Sequence, residues 1–233
     1  MTQSPLKTPI FYTEPDGAPM AESDPARDYL VYGVEALKLY FQNRSDVYVS
    51  GNLWLSYQQG VPDAVVAPDV FVVFGVENRQ RRSYKVWEEN GKTPDWILEV
   101  TSRSTRHKDE QEKPQTYAQM GVTEYFQYDP TGDYLNPPLK GRRLVGNNYQ
   151  AIAPNYMEDG NLCLTSQVLG LEMRLLTDGR LRFFNPQTGE YLRSPQESEQ
   201  ERLRERQRAD RAQQKADRLA AKLRELGIDP DAD

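Results

Sequence analysis

The chain has little of what most readily announces a function. It holds one cysteine, Cys163, and one histidine, His107, among 233 residues. No disulfide can close within it, which is the cysteine usage of a reducing compartment. A zinc site or a Cys–His nucleophilic pair would need those two residues to meet, and Cys163 lies in Leu162-Cys163-Leu164, a triplet that reads as core packing. No apolar run approaches the roughly 20 residues of a membrane-spanning helix. The stretch Met1-Thr2-Gln3-Ser4-Pro5 lacks the charged and apolar regions of a signal peptide. A soluble, cytoplasmic protein with no membrane partner is expected. A basic excess is missing too: the formal net charge is -6, so any nucleic-acid contact must come from a local patch.

What is present suits one medium domain with an appendage, at 37% hydrophobic and 27% charged residues. Residues 1–27 are rich in Pro, Asp, Thr and Glu and read as a flexible entry segment. A domain over 28–192 follows. Leu30, Val34, Leu37, Leu39 and Phe41 fall near helical spacing, with Asp24 or Asp28 as a cap. Asp46 to Tyr57 alternates as a strand broken by Gly51-Asn52, and Ala64 to Val76 is a nearly continuous apolar run, as in a central strand. Arg79, Arg81, Arg82 and Lys85 form the one concentrated basic patch of the first half. It is either a solvated loop or a phosphate contact.

Ser102 to Met120 reads as a polar helix closed by Gly121. Pro114 disfavours a helical conformation at Lys113, predicting a kink or a fresh helix start there. With a strand over Val122–Tyr128, the order strand, helix, strand implies a right-handed crossover and a parallel pair. Residues 134–192 read as antiparallel hairpins with turns at Thr177–Arg180 and Asn185–Gly189. Residues 193–233 form a charged helical tail. Ala209, Ala212, Ala216, Leu219, Leu223 and Leu226 step by three and four, with Gly227 and Pro230 as stops. A solvated helix and a short dimerising coiled coil both stay open, as does a homodimer through the core.

Two strands open with Pro-Asp: Ala67-Pro68-Asp69-Val70-Phe71-Val72-Val73-Phe74 and Pro94-Asp95-Trp96-Ile97-Leu98-Glu99-Val100-Thr101. Glu99 falls inside a run that should be buried, where a carboxylate is costly unless a cation or proton compensates it. Alternation puts Ile97, Glu99 and Thr101 on one face. Asp95 lies about 13 Å along the same strand at ~3.3 Å per residue, too far to share an ion with Glu99; Asp69, on another strand, is the better partner. Two carboxylates and a lysine from the next segment (Lys113, or Lys108 in its place) suit phosphodiester hydrolysis with a hard, oxygen-liganded ion. A capping aspartate and a glutamate paired to an arginine remain the structural alternative. Glycoside hydrolysis would need the carboxyls ~5–10 Å apart around a sugar cleft, and no aromatics cluster beside them in sequence.

Residues 67–76, residues 94–105 and the set Lys113, Tyr117-Ala118 and Gly121-Val122-Thr123-Glu124-Tyr125 resemble the Uma-two family, over roughly residues 28 to 192. The resemblance implies a restriction-endonuclease-like fold of the PD-(D/E)XK phosphodiesterase superfamily: a mixed β-sheet core with flanking helices, an antiparallel extension and here a C-terminal charged helix. It implies an endonuclease dependent on Mg²⁺ or Mn²⁺ and acting on DNA. Asp69 and Glu99 match its acidic positions and Val100 its backbone carbonyl ligand. Thr101 stands where the pattern has lysine, and Lys113 takes that role from the helix. Glu35 resembles the helix-one acidic residue of some members and, with Thr101, is expected to support the ligands. The displaced lysine, the negative charge and the tail also fit a non-catalytic scaffold on a nuclease fold.

Overall fold

The computed structural model describes residues 24–226; the expected entry segment before Asp24 and the stops at Gly227 and Pro230 lie outside them. The order is α1 (Asp24–Tyr40), β1 (Val47–Ser50), β2 (Leu55–Ser56), β3 (Val65–Val66), β4 (Val70–Phe74), β5 (Tyr84–Lys85), a 3₁₀ turn (Val86–Glu89) and β6 (Trp96–Val100). A π-helical turn (Lys108–Glu112) then runs into α2 (Lys113–Met120), followed by β7 (Glu124–Tyr128), β8 (Leu139–Val145) and β9 (Asn148–Ala151). The remaining elements are β10 (Asn155–Tyr156), β11 (Leu162–Ser166), β12 (Leu171–Leu175), β13 (Leu181–Asn185), β14 (Glu190–Tyr191) and α3 (Pro195–Glu225).

The main sheet has six strands in the order β1-β4-β6-β7-β8-β9. Its β6–β7 pair is parallel, joined by the helical crossover; its other neighbours are antiparallel. Strand alternation divides the core in two. Val70, Val72, Trp96, Leu98 and Val100 face α1 and the apolar side of the five-stranded sheet β10–β14. Phe71, Val73, Ile97 and Tyr125 face the other way, toward Tyr117 of α2 and the small sheet β3-β2-β5. The fold is thus mixed α and β, with hairpins extending the sheet.

Local departures have local causes. Helix α1 begins at Asp24 and buries Tyr32, Val34 and Leu37, but Leu39, counted above as apolar-face, is exposed. The apolar run from Ala64 to Val76 is two strands rather than one: β3 pairs with β2 and β4 with β1 and β6. Pro68 lies at the break, where a residue with no N–H cannot extend a central ladder. The described residues from Arg193 onward fall in a unit of their own. Helix α3 starts with a capping box between Ser194 and Glu197 and buries none of its residues.

One buried carboxylate, given no role in the sequence reading, joins the two larger sheets. Glu124 of β7 is fully buried; it pairs with Arg143 of β8 at 2.7 Å and accepts from the Ser166 hydroxyl at 2.5 Å and the Gln167 amide at 3.0 Å. Glu124→Ala strands these donors and should destabilise the fold by about 3 kcal/mol in urea unfolding. A loss below ~1 kcal/mol would contradict this account of the junction.

Candidate active site

Sheet register sets out the site before any side chain is considered. Val70 stands opposite Leu98 and Phe71 opposite Ile97; the same register carried one residue further sets Asp69 opposite Glu99. Glu99 in turn faces Gln127 of β7, and Gln127 faces Lys140 of β8. Opposed residues share a face, so Asp69, Glu99, Gln127 and Lys140 form one polar rung across the sheet. Asp69 is fixed from behind. Its carboxylate accepts the Val100 amide at 2.7 Å, the Asn52 amide donates to the Pro68 carbonyl at 2.8 Å, and a Cβ on Gly51 would stand 2.1 Å from the Asp69 carbonyl oxygen. Only glycine permits that approach.

The helical side of the site depends on Pro114. Lys113 is helical, at φ -58° and ψ -41°, against the expectation drawn from Pro114, while the α-helix does begin afresh there with the proline in its first turn; no non-helical residue marks that start. The chain instead widens into a π turn, with the Lys113 amide bonding back to the Lys108 carbonyl. In that turn the Asp109 carbonyl would look to residue 114 for a donor, and proline has none. The Tyr125 hydroxyl supplies it from β7, at 2.6 Å.

This geometry brings Asp109, Lys113 and Tyr117, spaced by four, onto one helix face over the rung. The Lys113 ammonium lies 2.8 Å from Glu99 and 2.8 Å from Asp109, and the Tyr117 hydroxyl donates to Glu99 Oε1 at 2.5 Å. Glu99 and Asp109 are fully buried and Asp69 partly so. Burial, and then repulsion from Glu99, pushes the Asp69 carboxyl well above its ordinary range. Burial likewise raises Glu99, against the opposing pull of Lys113. Burial alone would lower the Lys113 ammonium; Glu99, Asp109 and Asp69 together hold it above its usual value.

Three carboxylates thus meet one ammonium, a deficit of positive charge in a low-dielectric place. Asp109 Oδ2 and both amide atoms of Gln127 are buried without a hydrogen-bond partner. Among the described residues no group of three His, Cys, Asp or Glu is arranged to hold a metal ion. Asp69 and Glu99 with the Val100 carbonyl nevertheless suit Mg²⁺, which takes one or two carboxylates and keeps several waters.

Other sequence candidates lie elsewhere. Glu35 is exposed on α1, which packs on the opposite sheet face, and pairs with Lys38 at 3.1 Å; it does not support the ligands. In the expected basic patch Arg79 and Arg81 both reach Glu89 at 2.7 Å, Arg81 under the Tyr48 ring, and Lys85 reaches Glu88 at 3.2 Å. Arg82 is exposed. Lys108 points out of the buried cluster as an exposed residue, so Lys113 alone supplies the ammonium. Asp95 accepts the Phe74 amide at 2.7 Å and so serves its own strand. Thr101 is buried two residues past Glu99. Asp109 was not singled out in the sequence and Tyr117 entered only among the residues that carry the family resemblance, with no role given, although their spacing of four on either side of Lys113 was visible there.

The raised Asp69 carboxyl would make the affinity for any divalent ion held there depend on pH. Between the ordinary aspartate value of about 3.9 and the raised one, the folded chain binds more proton than the unfolded chain. Its metal-free stability therefore falls as pH rises through that window. A bound cation displaces the proton, so Mn²⁺ affinity should climb over the same window with proton release. Calorimetric titration in two buffers of different ionisation heat checks this; a flat affinity from about pH 5 to 8 would contradict it.

A family described as "Uma2: Putative restriction endonuclease" has a sequence model that matches residues 34–208. Among solved structures the chain is similar to a "putative nuclease belonging to DUF820" from Anabaena variabilis ATCC 29413, at 13% identity and a TM-score of 0.44, covering 64% of this chain and 84% of that one. No curated protein matches. With well over half of its length matched, the chain belongs to the Uma2 restriction-endonuclease-like family.

Proposed function

We propose that this protein is a divalent-metal-dependent endonuclease that hydrolyses phosphodiester bonds in DNA. The observation that carries the proposal is that Asp69 and Glu99 share one rung of the sheet with Lys113 set over it from α2, its ammonium 2.8 Å from Glu99. Mg²⁺ or Mn²⁺ held by Asp69, Glu99 and the Val100 carbonyl would polarise the scissile phosphoryl group and lower the pKa of a water.

The chain's own residues do the remainder. Glu99 is held in one orientation by Tyr117 and Lys113, so its oxygens face the site without needing to reorganise. The Val100 amide fixes Asp69 in the same way. Lys113, itself steadied by Asp109, stays protonated and can hold the attacking water or neutralise charge that develops on the phosphoryl oxygens. Tyr117 is fully buried and its hydroxyl is kept in the protonated, donating form by burial and by Glu99.

The test is cleavage of plasmid and linear duplex DNA with Mg²⁺ or Mn²⁺. Glu99→Ala should abolish cleavage, and Lys113→Met should lower it by about 10²- to 10³-fold, the range seen when one electrostatic donor is lost. Wild-type cleavage no greater than that of Glu99→Ala would sink the proposal.

A further inference from the structure

We infer that Arg103, in the lining of the cleft at the C-terminal end of β6, and Arg106 and Lys108, on the segment that follows it, grip the nucleic-acid backbone, with the Thr101 hydroxyl donating to a phosphate oxygen in the cleft floor. The inference rests on the phosphodiesterase reading of the neighbouring rung.

The cleft holds about 520 Å³ and is lined by Thr101, Ser102, Arg103, Ser104, Thr131 and Tyr134 among others, a volume that accommodates a nucleotide. Its lining is hydroxyl-rich, and one hydroxyl stands apart. Ser102 interacts with Ser104 at 3.1 Å and with Thr105 at 3.2 Å. Thr101 is 1% exposed, and its Oγ1 has no partner, while its amide is tied to the Tyr128 carbonyl at 2.7 Å. A buried hydroxyl left in that condition carries a desolvation penalty that a ligand oxygen would relieve. Thr101 shares the face of Glu99, two residues away, so the vacant donor adjoins the metal-binding rung.

Charge gives the second, independent observation. Arg103, Arg106 and Lys108 are exposed and make no ion pair among the described residues. Two of the acidic neighbours that might neutralise them are engaged, Asp109 with Lys113 and Glu110 with Lys140, each at 2.8 Å, and Glu112, exposed four residues past Lys108, makes an ion pair with none of the three. The patch at Arg79, Arg81 and Lys85 is the reverse case, since each of its cations already has a glutamate. In an acidic protein whose site carries three carboxylates, a polyanion approaches only where free cations offset that field. These three follow Glu99 at four, seven and nine residues.

Fluorescence anisotropy of a labelled DNA duplex on the full chain, with Ca²⁺ in place of Mg²⁺, tests the assignment across a salt series. The triple variant Arg103→Ala, Arg106→Ala, Lys108→Ala should bind at least roughly tenfold more weakly near 0.1 M salt, with the slope of log K against log salt reduced by about 2–3. The double variant Arg82→Ala, Lys85→Ala should change that slope by less than about 1. Thr101→Val should weaken binding several-fold at an unchanged slope, with a melting temperature equal to or above wild type, because it removes an unpaired buried hydroxyl. A triple variant with wild-type affinity and slope overturns this surface and leaves the phosphodiesterase reading standing. A wild-type chain that binds Mn²⁺ but no duplex overturns both.

Discussion

Lys113 is held between two buried carboxylates, and most of what is distinctive about this chain follows from that contact. Glu99 belongs to a central strand whose every residue is buried, and without a cation its ionised form could not remain there. The cation comes from the next helix, and its seat depends in turn on Asp109, on the π turn and on a tyrosine hydroxyl that replaces the amide Pro114 lacks. Removing any one of these leaves a buried polar group without a partner, so they stand or fall together.

The same contact explains why the site suits a second cation. One ammonium between Glu99 and Asp109 leaves Asp69 close to Glu99, with Asp69 driven toward its neutral form. Two acids that crowd each other in this way are stabilised by a shared proton or by a metal, and a metal would also activate a water toward a phosphodiester. Membership of the Uma2 family makes nuclease chemistry the natural use of that arrangement. Among the described residues no helix is long and apolar enough to cross a membrane.

Much of this was legible in the residues alone. Pro-Asp openings and a glutamate inside an apolar strand pointed to Asp69 and Glu99, because strand alternation and burial cost are local rules, while the choice of Lys113 over Lys108 came from the resemblance to the Uma-two family. The parallel β6–β7 pair followed from the handedness of crossovers. Partners distant in sequence were not legible. Nothing near Ser166 in sequence shows that it holds Glu124, or near Tyr125 that it satisfies Asp109. At Pro114 the fresh helix start was legible, since α2 begins at Lys113 with the proline in its first turn, but the helical conformation of Lys113 was not, because the preceding π turn carries the helix through that boundary. The patch at Arg79, Arg81 and Lys85 looked free because its neutralising partners, Glu88 and Glu89, sit in a turn that only the fold brings against it. Glu35 was placed by analogy, and the opposite face of the sheet claimed its helix.

The central claim is that Asp69, Glu99 and the Val100 carbonyl together hold a divalent ion beside Lys113. Anomalous diffraction from a crystal soaked in Mn²⁺ tests it most directly. The account predicts a peak bounded by those three ligands, at a metal–oxygen distance of about 2.1–2.2 Å, absent from Glu99→Gln crystals treated identically. A peak that avoids Asp69 and Glu99, or none at saturating Mn²⁺, would contradict it.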